Sequence, residues 1–232
     1  KDFGSGDRIC HHGVMDMFRE PKFAAYAYAS QSEPSEGPIL QPVTFWARGE
    51  RNIGGILPLL ILTNCDEVEL RYGQFAPKRI PAARDRFPHL PYAPAIVDSS
   101  NFTKEELGHW GMTWEPVTIT GYINGKPVAE TQFVCDAVPT TLQVVADATR
   151  IGRNDAVRVM VRMLDQAGHK LPFYPEPVTI EVSGPASRLG PACVPLRAGS
   201  TGFWVQATGA GPIEVKVHCD RLGVTSIHLT AE

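Results

Sequence analysis

Residues 117–135 read VTITGYINGKPVAETQFVC, and this stretch decides the fold class. Val117, Ile119 and Gly121 alternate with threonines, which is the period-two pattern of a β-strand with one buried face. Asn124-Gly125 then separates this run from a second one. Asparagine and glycine both tolerate the positive φ values of a type I′ turn. The stretch therefore predicts a β-hairpin in a chain built mainly of strands.

Short strand patterns continue on both sides of this hairpin. On its N-terminal side, residues 57–63 form an apolar run, and Val68, Leu70 and Tyr72 alternate with charged residues. On its C-terminal side, similar runs recur across residues 157–229, separated by turns with glycine or proline. This spacing is typical of immunoglobulin-like sandwiches, which take about 100 residues and about seven strands each. The predicted fold is mainly β, with two immunoglobulin-like β-sandwich domains in series.

The N-terminal residues follow a different pattern. Apolar residues between Phe23 and Tyr28 have helical spacing, which predicts a loop followed by a short helix with Pro21 in its first turn. Residues 32–38 are rich in Ser, Glu, Gly and Pro and predict a linker. The expected domains are residues 1–33 for the loop and helix, 38–137 for the first sandwich and 139–232 for the second.

An irregular segment interrupts the first predicted sandwich. Residues 82–111 carry several prolines, and ordered loops of this length are often functional. Within the segment, Thr103 and Glu106 have the spacing of a capping box, in which each side chain bonds a backbone N–H at a helix start. We expect one helical turn there.

Charge and composition exclude several classes of partner. The 232 residues are 43% hydrophobic, which is enough apolar material for folded cores. Lys and Arg number 22 against 25 Asp and Glu, and no dense basic run attracts phosphate backbones or anionic membranes. No apolar stretch approaches the roughly 20 residues that cross a bilayer. We therefore predict no nucleic-acid partner and no membrane partner.

The cysteines predict neither a metal site nor a disulfide framework. There are five, they lie far apart, and none forms a CxxC pair. We expect most of them to be buried thiols, while Cys193 and Cys219 lie in one predicted domain and would be able to pair in an oxidising compartment. The chain begins with lysine and shows no charged-then-apolar leader, so we expect the natural N-terminus to lie upstream.

Several motifs, taken in their order along the chain, resemble the C-terminal region of a glycoside hydrolase family 2 enzyme of the β-galactosidase-like kind. The resemblance covers nearly the whole chain. It implies that the first predicted domain is the C-terminal remnant of a TIM barrel, followed by two immunoglobulin-like sandwiches. The motifs occupy residues 2–4, 7–14, 16–22, 63–70, 121–128, 159–168 and 182–185.

This resemblance implies an accessory role for the chain. In the family, a retaining hydrolase, both catalytic glutamates lie on barrel strands before the segment present here, so no catalytic residue is expected in this chain. The implied partners are the missing N-terminal catalytic barrel of the same polypeptide, a carbohydrate substrate of the intact enzyme and a possible homo-oligomer. No cofactor is implied. The compartment is not fixed, with the bacterial cytoplasm favoured.

The resemblance also supplies candidate binding residues. The loop with Asp7, Arg8, His11 and His12 would line the rim of the barrel mouth, where barrel enzymes place their sites. Large β-galactosidases of the family hold sodium near this loop, but alignment places Ile9 and His12 at the ligand positions. Imidazole is a poor ligand for sodium, so we predict no metal. A surface loop with a local salt bridge is the alternative interpretation.

Aromatic residues are the second group of candidates. Tyr92, Trp110 and Trp114 lie in or beside the irregular segment and would offer ring faces for a sugar to stack on. Packing is the alternative for Trp110 and Trp114, because large aromatic side chains dominate interface burial. Trp46 and Trp204 fall on predicted strands, where packing is the expected role.

Two acidic pairs and two other functional classes remain as alternatives. Glu67 with Glu69, and Glu105 with Glu106, have the residue type of a catalytic pair, but we interpret the first pair as part of a solvated sheet face. A carbohydrate-binding module is the second functional hypothesis. An adhesin-like array of immunoglobulin-type domains is the third, and a helix between Phe23 and Tyr28 built to pack on a barrel argues against it.

Overall fold

The computed structural model describes residues 13–46, 56–107 and 115–232. The chain divides into two compact units, Lys1–Asp136 and Ala137–Glu232. Strands dominate both units, which confirms the mainly β prediction. None of the helices in the described ranges has the length and apolar character that a membrane crossing needs.

The described part of the first unit begins with a tight loop and a short helix, α1 (Phe23–Ala29). The Asp16 carboxylate closes the loop by accepting hydrogen bonds from the N–H groups of Phe18 at 2.8 Å and Glu20 at 2.9 Å. Pro21 lies outside the helix rather than in its first turn, because it forms a bridge with Met15 and leaves Lys22 as the N-cap.

The sandwich of the first unit has two antiparallel sheets. One has the order β1-β2-β5 and the other β4-β3-β6-β7. A short helix, α2, lies between β5 and β6. The elements are β1 (Leu40–Pro42), β2 (Leu59–Thr63), β3 (Glu67–Tyr72), β4 (Lys78–Pro81), β5 (Ala95–Val97), α2 (Lys104–Leu107), β6 (Val117–Ile123) and β7 (Lys126–Phe133), with 3-10 turns at Pro34–Glu36 and Ser99–Asn101.

Alternation along the strands builds the core of this unit. On β3, Val68 and Leu70 are fully buried, while Glu67 and Glu69 alternate with them and lie on the other face. β6 and β7 form the predicted hairpin, with φ values of 51° at Asn124 and 73° at Gly125. These left-handed values at both turn positions are those of a type I′ turn, so the prediction from the Asn-Gly pair is confirmed.

Gly121 is required by a close approach inside this core. A Cβ atom at this position would lie 2.6 Å from the Cys65 Sγ atom. Gly121→Ala is therefore expected to lower the free energy of unfolding by about 1.5 kcal/mol through overpacking. A double-mutant cycle with Cys65→Ala, measured by denaturant unfolding, should give a coupling of about 1 kcal/mol because the second change removes the clash. Strict additivity of the two changes would contradict this explanation.

The second unit is also a sandwich of two sheets. Their strand orders are β12-β14-β10-β8 and β13-β11-β15-β16-β9. Apolar residues from both sheets meet in one core. The strands are β8 (Thr141–Ala146), β9 (Arg150–Ile151), β10 (Ala156–Leu164), β11 (Pro177–Ser183), β12 (Ala186–Leu189), β13 (Cys193–Pro195), β14 (Ser200–Ala207), β15 (Gly211–Cys219) and β16 (Gly223–Ala231).

Cys193 and Cys219 do not pair, and both are free thiols. Cys193 on β13 faces Thr179 on β11, which in turn faces His218 on β15, so two strand spacings of about 4.8 Å separate the cysteine strands. Cys193 is exposed while Cys219 is buried, which places their side chains on opposite faces of the sheet. A disulfide needs Cα atoms within about 7 Å and converging Cβ atoms, so this geometry forbids the bond.

Candidate functional site

Most of the candidate site residues lie outside the described residues. Tyr92 is the member of the set that the structure places, on the segment between β4 and β5. The candidates outside the described ranges are Asp7, Arg8, His11, His12, Trp110 and Trp114.

Tyr92 is half-buried and bonded to the segment that follows α1. Its phenol donates a 2.6 Å hydrogen bond to Glu33 Oε2, and this bond raises the pKa of Tyr92 above its ordinary value. The Gln31 side-chain amide pairs with the Tyr92 backbone, donating to its carbonyl at 2.9 Å and accepting from its N–H at 3.2 Å. Tyr92 therefore ties the irregular segment to the N-terminal part of the unit.

Asn64 holds the same N-terminal part from the other side. It is 1% exposed, and its amide nitrogen donates to the carbonyls of Ser32 and Gly37, each at 3.1 Å. Its Oδ1 atom accepts from the N–H of Ile39 at 2.7 Å. Residues 32–38 are thus anchored by a buried side chain and are not the free linker that their composition predicts.

A surface of apolar side chains surrounds α1. The helix has the sequence FAAYAYA, and none of its residues is buried. Tyr28 is 74% exposed, and in the preceding loop Met15 and Met17 are 48% and 61% exposed. We call Met15, Met17 and Tyr28 the α1 surface. Exposed apolar side chains on a folded unit are candidates for an interaction site, because their burial against a partner is favourable.

The two tryptophans expected to pack differ in their environment. Trp46 is 1% exposed and donates from its indole Nε1 to the Glu115 carbonyl at 3.0 Å, so its packing role is confirmed. Trp204 is instead 41% exposed. It lies between the buried residues Phe203 and Val205, and alternation along β14 directs its side chain away from the core.

The glutamates that were weighed as a catalytic pair are held in ion pairs. On the outer face of the first unit, Arg79 bonds Glu67 at 2.7 Å and Glu69 at 3.0 Å. The Arg79 guanidinium also lies 3.6 Å from the centre of the Tyr122 ring. Carboxylates fixed in this way on an exposed face are engaged by an arginine and are poorly placed to transfer protons to a substrate.

Glu106 has a structural task as well. It is buried and bonds Lys78 Nζ at 2.7 Å. Its carboxylate accepts from the Thr103 N–H at 2.8 Å while its own N–H bonds Thr103 Oγ1 at 3.3 Å, which confirms the predicted capping box. Burial acts to raise the pKa of Glu106, but the bonds from Lys78 and Thr103 outweigh it, and the net pKa is lowered. The side chain is therefore an ionised anchor for α2.

Known proteins with similar sequences are glycosidases. A β-galactosidase from Rhizobium meliloti is 56% identical over 182 residues, which are 78% of this chain and 24% of that protein. A β-galactosidase from Rhizobium radiobacter is 38% identical over 135 residues, which are 57% of this chain and 95% of that protein. The chain belongs to the β-galactosidase-like proteins of glycoside hydrolase family 2. No protein-family model matches it.

The fold of this family 2 chain is also found among solved structures. A glycosyl hydrolase family 2 member from Bacteroides cellulosilyticus has a TM-score of 0.68 and 16% identity, over 95% of this chain and 32% of that chain. The family 2 chain spans about a quarter of the Rhizobium meliloti relative, 24% of its length. It therefore corresponds to the C-terminal accessory portion of these glycosidases, as the resemblance implies.

Proposed function

We propose that the whole polypeptide is a β-galactosidase and that this chain braces its catalytic barrel. The observation that carries the proposal is the α1 surface, whose apolar side chains lie on a folded unit without being buried by it. A barrel packed against this surface would remove it from water. The same sandwiches are also proposed to shape access to the substrate or to support a homo-oligomer.

The hydrolytic step belongs to residues outside this chain. A retaining glycosidase needs two carboxyl groups about 5 Å apart, and one of them must act as an acid with a raised pKa. Glu106 has a lowered pKa, and Glu67 and Glu69 are engaged by Arg79. A complete barrel takes about 250 residues, more than this strand-rich chain supplies. We therefore place both catalytic glutamates upstream.

The anchoring contacts explain how the sandwich would brace a barrel. Asn64 and Tyr92 fix residues 31–39 from two sides, so the α1 surface is held in a defined position on the first unit. We propose that the rim of the barrel mouth includes Asp7, Arg8, His11 and His12. Stacking of sugar rings on Tyr92, Trp110 and Trp114 is likewise part of the proposal, with the Tyr92 hydroxyl already engaged by Glu33.

Tyr28→Gln tests the contact with the barrel. In this chain the free energy of unfolding should change by less than about 0.5 kcal/mol, because Tyr28 is 74% exposed. In the whole polypeptide the loss should be about 1 kcal/mol, because the amide would then be buried against apolar side chains. Thermal unfolding of both proteins measures the difference. Val224→Gln, at an apolar position that is 59% exposed, is the control and should be neutral in both. Equal effects of Tyr28→Gln in both proteins would contradict the bracing role.

A hydrolysis assay tests where the activity resides. The whole polypeptide should turn over nitrophenyl β-galactoside, while this chain should not exceed the rate in buffer. Nitrophenyl β-glucuronide, offered to the whole polypeptide in parallel, checks the sugar. Robust turnover of either compound by this chain would show that the catalytic pair lies within it.

A further inference from the structure

The second unit has an open pocket of about 410 Å³ at one end of its sheets. The residues that follow β8, form β9 and begin β10 make its walls, together with the turn between β9 and β10. Four charged side chains line it: Asp147, Arg150, Asp155 and Arg158. None of the motifs that connect the chain to its relatives gives this pocket a role.

The charges around the pocket favour a neutral, hydroxyl-rich ligand. Arg158 donates from Nε and Nη2 to the two carboxylate oxygens of Asp147, each at 2.9 Å, and Arg150 donates to Glu232 at 2.9 Å. Each of these guanidinium groups is thus matched by a carboxylate, and the negative charge of Asp155 is balanced by exposed Arg153 in the same turn. An anionic sugar meets no excess positive charge here, whereas carboxylates readily accept hydrogen bonds from hydroxyl groups.

A glycine brings the Asp155 carboxylate close to the pocket wall. A Cβ atom at Gly152 would lie 2.5 Å from Asp155 Oδ2. Asp155 is exposed and its backbone is fixed on both sides, with its N–H bonded to the Gly152 carbonyl and its own carbonyl accepting from the Ala207 N–H. The turn therefore presents this carboxylate to the pocket at a defined place.

An exposed aromatic ring lies beside the pocket. Trp204 on β14 is the register partner of Arg158 on β10. Directly paired residues of neighbouring strands point to the same face with Cβ atoms about 5 Å apart, so the indole neighbours the Arg158 side chain that lines the pocket. Trp204 is 41% exposed, and an exposed indole is a side chain on which the C–H groups of a pyranose are able to stack.

We propose that Trp204, Asp147 and Asp155 form a binding site for neutral hexopyranose oligosaccharides on the second unit. One sugar ring stacks on Trp204, and the next directs its hydroxyl groups to the two carboxylates. The site rests on residues of the second unit alone and does not depend on the proposed bracing of a barrel. Its occupant is a chain of neutral sugars, because two adjoining rings engage the indole and the carboxylates at the same time.

Titration calorimetry on this chain tests the site. Galactotetraose and cellotetraose are the neutral probes, and tetragalacturonate is the anionic one. We expect a Kd on the order of 1 mM for a neutral probe and at least about tenfold weaker binding by Trp204→Ala and Asp155→Asn. Trp204→Phe should keep most of the affinity, since a ring face remains. Val224→Ala, at an exposed apolar position of the other sheet, is the control and should bind as the parent chain does.

Gly152→Ala distinguishes a loss of binding at the pocket from a general loss of structure. The added methyl group displaces the Asp155 carboxylate, so binding should weaken by about tenfold while the circular dichroism spectrum and the unfolding midpoint stay unchanged. Three results would overturn the proposal. They are no heat of binding for either neutral probe at about 10 mM, tighter binding of tetragalacturonate, or full affinity in Trp204→Ala. Thermal unfolding of Tyr28→Gln in this chain and in the whole polypeptide is an independent measurement of the bracing role, so failure of this site and failure of the bracing role are distinguishable.

Discussion

Asn64→Ala should lower the free energy of unfolding of the first unit by about 3 kcal/mol. The substitution removes one hydrogen-bond donor group and one acceptor from a site that is 1% exposed. It leaves the carbonyls of Ser32 and Gly37 and the N–H of Ile39 without their side-chain partner. Each lost bond contributes about 1 kcal/mol, and the three partner groups belong to exposed or half-buried residues. Urea unfolding followed by tryptophan fluorescence measures the loss.

Limited proteolysis adds a local measurement for the same variant. Cleavage between residues 31 and 39 should become faster in Asn64→Ala, because the anchor of this segment is gone. Gln74→Ala is the matched control, since it removes an exposed amide from the same unit and should change stability by less than about 0.5 kcal/mol. A variant Asn64→Ala with parent stability would show that the bonds of Asn64 are not needed to hold residues 31–39, which Thr63 also contacts through the Ile39 carbonyl at 2.6 Å.

The contacts of Asn64 also show why the sequence does not predict how residues 32–38 are held. Residues 63–70 were selected for their strand pattern and family resemblance, and this pattern locates β3 correctly. A hydrogen bond from Asn64 to a carbonyl 32 residues earlier is a non-local contact that no periodicity encodes. The available signal was a polar residue next to an apolar strand. Such a residue must find partners once the strand is buried.

The sequence predicts correctly those features that depend on a single turn or a single helix cap. The Asn124-Gly125 pair and the Thr103-Glu106 box each depend on a few consecutive residues, and both were predicted with their partners. Trp204 lies on a predicted strand, where a tryptophan usually packs, but that expectation disregards which face of the strand the residue occupies. Phe203 and Val205 are the core residues of this strand, so alternation alone directs Trp204 outward.

The order of the motifs along the chain indicates the family correctly. The sequence does not show that Pro21 lies before the helix start. Helix propensity admits proline in the first turn, but the loop ahead of α1 closes by a hydrogen bond from the Lys22 N–H to the Val14 carbonyl at 2.9 Å. That bond makes Lys22 the N-cap and moves the helix start beyond Pro21. Helix boundaries depend on such specific contacts, which is why apolar spacing predicts that a helix exists better than where it begins.

Lys78→Met should lower the free energy of unfolding of the first unit by about 2 kcal/mol at about pH 7. The change leaves the Glu106 carboxylate, on a side chain that is 8% exposed, without its cation at 2.7 Å. Removing one member of a buried pair costs more than an exposed pair contributes, and the 22% exposure of Lys78 places this pair between the two cases. Methionine preserves the side-chain length and the packing next to Phe102.

In the same variant, the contribution of Glu106 to the pH dependence of the free energy of unfolding should reverse its sign. In the parent chain the pKa of Glu106 is lowered below the ordinary value of 4.5, so its contribution to stability is present above that value and is lost as the pH falls through the folded pKa. Without Lys78, burial dominates and should raise the pKa of Glu106. The variant should then lose less stability than the parent between about pH 7 and about pH 4, since protonation relieves the buried charge.

The double variant Lys78→Met/Glu106→Gln isolates the charge from the capping box. Glutamine keeps an oxygen that accepts from the Thr103 N–H, so α2 retains its cap while both charges are absent. Its stability should return to within about 1 kcal/mol of the parent, because an uncharged pair leaves no buried charge unpaired. Urea unfolding at both pH values measures all three proteins. A double variant as unstable as Lys78→Met alone would mean that Lys78 acts through the contact of its ammonium group with the Phe102 ring, at 5.9 Å, rather than through Glu106.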